Sequence, residues 1–335
     1  MQWQGLFCFA LKTALFAQAQ SSHSPLEAYC RNMADDFCDL SKRWVEVRPS
    51  RLSVAAIHAR RIRHTWGNSK PFLSGDLFSD EADVSYNSPK FRRLKPSLRE
   101  ISDARVIFCP SEDVEEFFIK YRGYAKPLVL ICGNGDRDFT ELPAHLPSSI
   151  KHVFLQNSYI QNSSFSTALP IGLENLRWGK NGSPNFMRND LAWDHRLKKI
   201  MVGPFGLTHA ERFIVRENFP SCNENIEVFI SRLTPRELSN VSQAFRFVAA
   251  VRGNGVDTHR HWETAYRGSY ALVTRDSWFR NFETYGLPFI GVDSWNENEV
   301  VKAMFSIEQA PRNPRDIPAL WWPYWKDQIE SRLHG

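Results

Sequence analysis

No apolar run in the chain is long enough to cross a bilayer. The longest near the start, Leu6 to Ala17, is broken by Lys12 and falls short of the roughly 20 residues that a spanning helix needs. Cysteine is sparse and unpatterned. The six in 335 residues, Cys8, Cys30, Cys38, Cys109, Cys132 and Cys222, form no C-x-x-C pair and meet no paired histidine spacing. That argues for reduced, mostly buried thiols rather than a zinc site or a disulfide framework. There is no internal repeat, no low-complexity run and no Gly-Lys-Ser/Thr loop, so a P-loop kinase is set aside. Net charge is small: 42 Lys and Arg against 37 Asp and Glu leave +5, too little for a dedicated nucleic-acid binder. Met1 to Gln20 lacks the positively charged start of a secretory signal, although Ala17-Gln18-Ala19 imitates a cleavage site. It reads as an ordinary N-terminal helix.

What is present is a composition that buries proper cores, 42% hydrophobic and 24% charged, in a length that allows two domains. Eleven Trp and 24 Phe suit a protein that stacks on carbohydrate or nucleobase faces, though such residues more commonly fill cores. Two arginine clusters, residues 59–64 and 90–95, are spaced with apolar residues and read as solvated helix faces, with an anionic acceptor or membrane surface as the functional counterpart.

From residue 104 strand and helix signals alternate. Ala104 to Cys109 is a strand, Ser111 to Tyr121 a helix with Ser111 as N-cap, and Leu128 to Cys132 a buried strand, together a β-α-β unit. His152 to Gln156 and Ala168 to Gly172 are further strands, and 179–184 is a turn-rich break. A second series follows. Lys199 to Phe205 is a strand, Thr208 caps a helix over 210–219, and Ile226 to Ile230 is a strand. Thr234-Pro235-Arg236-Glu237 has the outline of a capping box, and Phe245 to Val251 is a buried strand. After a glycine loop come a helix from Thr258 to about Arg267 and strands at Tyr270 to Thr274 and Leu287 to Val292. The expected class is α/β, with two doubly wound, Rossmann-like domains facing across a cleft: an N-terminal one over 21–195, with 1–100 partly unassigned, and a C-terminal one over 196–320. Residues 321–335, opening on Trp321-Trp322-Pro323-Tyr324-Trp325, are expected to form a helix that packs back across both; a sugar-stacking platform is the alternative.

The segment richest in chemistry is 247–263. A buried strand ends, Gly253 and Gly255 turn the chain, and a helix begins at Asp257 or Thr258, which is a phosphate-binding geometry of loop N–H groups and helix dipole. Arg252, His259 and Arg260 add positive charge. Glu263, just over a turn into the helix, is placed to accept bonds from two ribose hydroxyls; a surface pair with Arg260 or Arg267 is the alternative. Cys132-Gly133-Asn134-Gly135-Asp136-Arg137-Asp138 leaves the C-terminal end of a strand, where α/β clefts lie. Asp136 is the candidate base there. An Asn-Gly-Asp turn, or a metal-binding D-x-D with Asp138, are the other readings.

Together the run Arg252-Gly253-Asn254-Gly255-Val256-Asp257-Thr258-His259-Arg260, then Trp262-Glu263, Gly268-Ser269, Leu287-Pro288 and Val292-Asp293-Ser294-Trp295, resembles the donor-binding end of exostosin-like glycosyltransferases. The first half is similar to the same family at Ile107-Phe108-Cys109, Phe117-Phe118, Tyr121, residues 127–131, Asn134, Asp136, Gln156-Asn157 and Leu169-Pro170-Ile171-Gly172. Val251-Arg252 and Cys132-Gly133 depart from the family pattern, which has a Ser/Ala-Pro-Arg-like entry and a Ser-His-like pair there. The resemblance spans roughly 104–299 and implies a GT-B architecture and transfer of a hexosyl or pentosyl group from a nucleoside-diphosphate sugar to a glycan or polysaccharide hydroxyl. It implies no cofactor and no bound metal, because cationic side chains and a helix N-terminus neutralise the leaving diphosphate. Donor binding then falls to Arg252, Gly253, Asn254, Gly255, Asp257, Thr258, His259, Arg260 and Glu263, with Thr208, His209 and Arg212 as secondary diphosphate ligands. Asn134 and Asn157 fall on the acceptor side. The expected partners are the nucleotide sugar and the glycan, with no nucleic acid, in the cytoplasm and with peripheral contact at the inner membrane. A non-catalytic carbohydrate-binding relative and a nucleotide-sugar epimerase are the rival functions.

Overall fold

A computed structural model describes residues 69–334 apart from 87–96, 122–125, 127, 144–145, 177–181, 188 and 190. All fall within one compact unit, Trp66–Gly335. The N-terminal segment Met1 to Gln20, Cys8, Cys30, Cys38 and both arginine clusters lie outside the described residues. Among the described residues the chain builds an α/β fold with two parallel five-stranded sheets.

The first sheet contains β1 (Val84–Ser85), β2 (Val106–Pro110), β3 (Leu128–Gly133), β4 (Ile150–Gln156) and β5 (Ser166–Leu169), side by side in chain order. β2 and β3 are buried throughout, as apolar strands covered on both faces must be. One face, with Ile107, Cys109, Leu130, Cys132, Val153 and Leu155, packs on Val114, Phe117 and Phe118 of α3 (Val114–Lys120). The other, with Val106, Phe108, Val129, Ile131 and Phe154, shares a core with Leu77 and Phe78 of α1 (Gly75–Glu81) and with Trp325 and Ile329 of α9 (Trp322–His334). The Trp-rich C-terminal segment therefore spends Trp325 in the core. Helix α2 (Leu98–Asp103), which precedes β2, opens on a capping box between Ser97 and Glu100.

The second sheet contains β6 (Leu197–Val202), β7 (Ile226–Val228), β8 (Phe245–Ala249), β9 (Tyr270–Thr274) and β10 (Phe289–Val292), in the order β10-β9-β8-β6-β7. The chain starts in the interior at β6, steps out to β7 and returns past β6 to β8. Strand order therefore reverses between β6 and β8, which creates a crevice at their carboxyl ends. The first sheet has no such reversal. The expectation of two doubly wound sheets holds for the second half; in the first, each step runs the same way, and residues from α1 and α9 close the face that return crossovers would have covered.

Helices α4 (Ala210–Asn218) and α8 (Glu297–Phe305) supply Val215, Val300 and Met304 to one core of the second sheet. Val248 and Phe245 meet Leu238 and Val241 of α5 (Pro235–Ser242). Trp262 and Ala265 of α6 (His259–Tyr266) and Trp278 and Phe282 of α7 (Ser277–Glu283) join Ala271 and Val273 in the core that reaches the first sheet. The Thr234–Glu237 capping box forms as the sequence predicts, with Pro235 in the first turn.

Two expected caps are displaced. Ser111 donates its N–H to Gly133, which prolongs the β2–β3 ladder, so the helix starts at Val114 behind Asp113. Thr208 accepts from Arg212 Nη1 at 3.0 Å, and His209 caps α4 instead, its Nδ1 accepting from the Glu211 N–H.

Candidate functional site

The loops at the carboxyl ends of the first sheet meet the glycine loop after β8. Asp138 on the β3–β4 connection receives Arg252 Nη2 on Oδ2 at 2.6 Å and the Val256 N–H on Oδ1 at 2.9 Å. Asn157, just past β4 and in the left-handed region at φ 57°, accepts from the Asp257 N–H at 3.0 Å. Asn254 Nδ2 donates to Asp136 at 2.9 Å, and Arg252 Nη1 donates to the Tyr159 hydroxyl at 2.7 Å. A Cβ at Gly255 would stand 2.5 Å from the Asn157 amide, so glycine is what lets the two loops close.

This contact changes how the loop can act. Of the N–H groups from Gly253 to Thr258, four are engaged within the protein: Gly253 with Gly255, Val256 with Asp138, Asp257 with Asn157, and Thr258 with His261 Nδ1. Asp257 is itself buried and accepts from Ile171 N at 2.8 Å and from Trp262 Nε1 at 2.9 Å. It ties the start of α6 to the strand end of the first sheet. His259 reaches the same segment, with Nδ1 2.9 Å from the Gly172 carbonyl. Thr258 is 8% exposed, and its Oγ1 has no partner among the described residues.

Positive charge gathers at the β6/β8 crevice instead. Arg212, from the first turn of α4, crosses to the Arg252 carbonyl at 2.8 Å and holds the Gly206 carbonyl at 2.9 Å. Arg260, from the first turn of α6, reaches the Gly203 and Pro204 carbonyls at 3.3 and 3.4 Å. Among the described residues no carboxylate forms a salt bridge with either guanidinium. Burial and the charge of Arg260 bring the Arg212 pKa down to about 10, while Glu211 opposes the shift. The Arg260 pKa is lowered by burial, against the pull of Glu263. The charge of Arg260 thus disfavours that of Arg212 at the switch point, an arrangement that an anion would relieve.

Glu263 is buried and pairs with Arg267 at 3.5 Å inside the protein, so the alternative of a surface pair is replaced by a buried one. Asp136 and Asp138, two residues apart, engage different partners, Asn254 for one and Arg252 with Val256 for the other.

A cavity of about 500 Å³ opens at the carboxyl ends of the first sheet, lined by Asn134, Asp136, Glu174, Asn175 and Glu112 among others, with His259 its one lining residue from the second half. It brings together three residues that the sequence singled out, Asn134, Asp136 and His259. Arg252, Arg260, Arg212, Thr208 and Glu263 are not among its lining residues. Glu112, Glu174 and Asn175 escaped sequence reasoning. Glu174 and Asn175 stand a few residues past the end of β5, where the carboxyl-end rule points; Glu112 sits in the β2–α3 turn and is identified only by its bond to the Asp136 N–H at 2.7 Å. Among the described residues no helix is long and apolar enough to cross a membrane. No protein-family model matches the chain, and no curated protein matches it.

Proposed function

We propose that the chain is a glycosyltransferase of GT-B type that takes a nucleoside-diphosphate sugar at the second sheet and a glycan hydroxyl at the first. One observation carries the reading: Arg212 and Arg260 reach, from the first turns of the helices after β6 and β8, the backbone of that strand-order reversal, with no salt-bridge partner among the described residues. A diphosphate there would exchange ion–ion repulsion for two charge-assisted contacts. Glu263, which the family resemblance assigns to the ribose, is buried against Arg267 and would have to leave that pair to reach a donor. In transfer, the acceptor oxygen bonds to the anomeric carbon, the bond from that carbon to the diphosphate breaks, and the hydroxyl proton passes to a carboxylate. Asp136, exposed at the cavity wall, is the candidate for that base. The arginines stabilise the departing diphosphate electrostatically.

The occupied glycine loop favours a second reading, a relative that keeps the fold and binds glycan without turning over a donor. A thermal-shift screen of UDP, GDP, CMP and dTDP in metal-free buffer separates the two. Under the transferase reading one diphosphate raises Tm, by linkage to the native state, and Arg260→Gln and Arg212→Gln abolish the rise while staying folded. No shift from any nucleotide refutes the transferase reading.

A further inference from the structure

Eight large apolar side chains are exposed among the described residues, and four of them stand at one corner of the second sheet. Leu207, Phe213, Ile214 and Ile230 are each between 47% and 61% exposed. Hydrogen bonds show how they come to share that corner. β6 and β7 run side by side with Val202 opposite Val228, and the Phe229 N–H donates to the Val202 carbonyl at 2.8 Å, so the turns that follow the two strands leave together. Leu207 lies on the first turn and Ile230 on the second. Arg212 Nη1 ties the first turn to the start of α4, donating to the Gly206 carbonyl at 2.9 Å and to the Thr208 hydroxyl at 3.0 Å. α4 buries Val215 against the sheet, and Phe213, two residues away and so on the opposite side of the helix, is left in water with Ile214. Isolated apolar groups on a surface need no explanation, but a gathered set does.

The charges beside them are mainly positive. From Val202 to Ala210 and from Val228 to Pro235 there is no acidic residue, while Arg232 is exposed two residues after Ile230. On α4, Arg216 is exposed about one turn beyond Phe213. Glu211 is turned inward to Thr274 and Trp295, which leaves Glu217 as the exposed acid of the helix. Among the described residues neither Arg216 nor Arg232 forms a salt bridge. Phe, Leu and Ile set among exposed arginines suit a lipid interface, with the apolar side chains in the acyl boundary and the guanidinium groups at the phosphates. Protein-binding patches are enriched in Tyr, Trp and Met as well as Phe and Arg, and residues 203–218 and 229–236 hold none of the first three.

We infer that this corner docks on the surface of an anionic lipid bilayer, with Leu207, Phe213, Ile214 and Ile230 entering the acyl boundary and Arg216 and Arg232 meeting lipid phosphates. The docking does not depend on the transferase reading. It brings the crevice of Arg212 and Arg260, both of which bond to the turn after β6, next to the membrane.

The test uses the full chain and flotation with vesicles of phosphatidylcholine alone or mixed with phosphatidylglycerol, titrated to a partition constant. The mixed vesicles are expected to bind the chain about tenfold more tightly than the neutral ones, as two arginines at a charged surface predict. Phe213→Ser with Ile214→Ser, and separately Leu207→Ser with Ile230→Ser, should each weaken binding to the mixed vesicles about tenfold, the loss of two partly inserted side chains. Tm should stay unchanged, because all four side chains are exposed in the folded chain. Arg216→Gln with Arg232→Gln should abolish the preference for phosphatidylglycerol. No vesicle binding, equal binding to both vesicles, or a preference that survives the arginine pair overturns the inference. Binding that survives both serine pairs overturns it as well and moves the contact to the arginine clusters at 59–64 and 90–95. A concentration-dependent dimer that the serine pairs disperse, with no flotation, overturns it in favour of self-association.

Discussion

Asp257 is expected to matter for folding before it matters for any ligand. Its carboxylate, in a residue only 3% exposed, accepts from the Ile171 N–H at 2.8 Å and the Trp262 indole at 2.9 Å, and lies 3.0 Å from His261 Nδ1. Asp257→Ala leaves the first two donors buried without partners, at about 1–3 kcal/mol each. It also removes an anion just ahead of the N-cap of α6, worth about 0.3–1 kcal/mol. The expected loss is about 4 kcal/mol, against about 2 kcal/mol for Asp257→Asn, which keeps one carbonyl acceptor in place. Urea unfolding followed by tryptophan fluorescence reads the difference, provided the slope with denaturant stays constant so that the midpoint reports stability. The reasoning is refuted by a loss under about 1 kcal/mol in Asp257→Ala, since water or neighbouring carbonyls would then be satisfying both donors.

Three further outcomes follow from the same geometry. Asp138→Ala removes the carboxylate from Arg252, which keeps Tyr159 and Asn254, and frees the Val256 N–H, so if the glycine loop contributes to diphosphate binding the affinity rises severalfold; an unchanged Kd by calorimetry counts against a part for the loop. His152 is fully buried between the Ser164 carbonyl and the Thr167 hydroxyl, and burial lowers its pKa from 6.5 to about 4, opposed by the Ser164 bond. Between those values the unfolded chain takes up the proton and the folded chain does not, so stability from this site is complete above about pH 6.5 and fades as pH falls toward 4. His152→Gln should shrink the difference between urea midpoints at pH 7 and pH 5, and an unaltered difference would count against it. Cys109 and Cys132, register partners across β2 and β3, are buried with both thiol pKa values raised by burial, so an aromatic disulfide reagent should modify neither at pH 8 until urea unfolds the protein.

The elements that local pattern fixes were legible in the sequence. β9 has the predicted bounds, the α5 capping box forms on Thr234 and Glu237, and the buried runs at 128–132 and 152–156 become β3 and β4. Each depends on apolar runs, caps and breaks within a few residues. The misreadings come from longer range. Ser111 lost its capping role to a ladder bond with Gly133, and Thr208 lost its own to Arg212, in each case because a side chain or backbone group had a better partner than the nearest helix end. Helix α1 begins on Gly75-Asp76, a weak local signal, but Leu77 and Phe78 bury in a core shared with both sheets and the C-terminal helix.

The site shows the same division. A strand, a glycine turn and a helix start at 247–259 predict a backbone free to cradle an anion, and that local conformation is present. Its availability depends on Asp138 and Asn157, which stand 118 and 100 residues away from the N–H groups they fill. No spacing rule within the loop reports such partners. A carboxylate already occupies Val256 and Arg252, whereas among the described residues Arg212 and Arg260, like the buried Arg196, form hydrogen bonds to neutral groups and no salt bridge. Arg212, a secondary diphosphate candidate in the sequence, carries the proposed anion site together with Arg260, while Arg252, the arginine that the motif put first, bonds to Asp138 and Tyr159. Arg252 joins the glycine loop to the β3–β4 connection through Asp138 and to the segment after β4 through Tyr159.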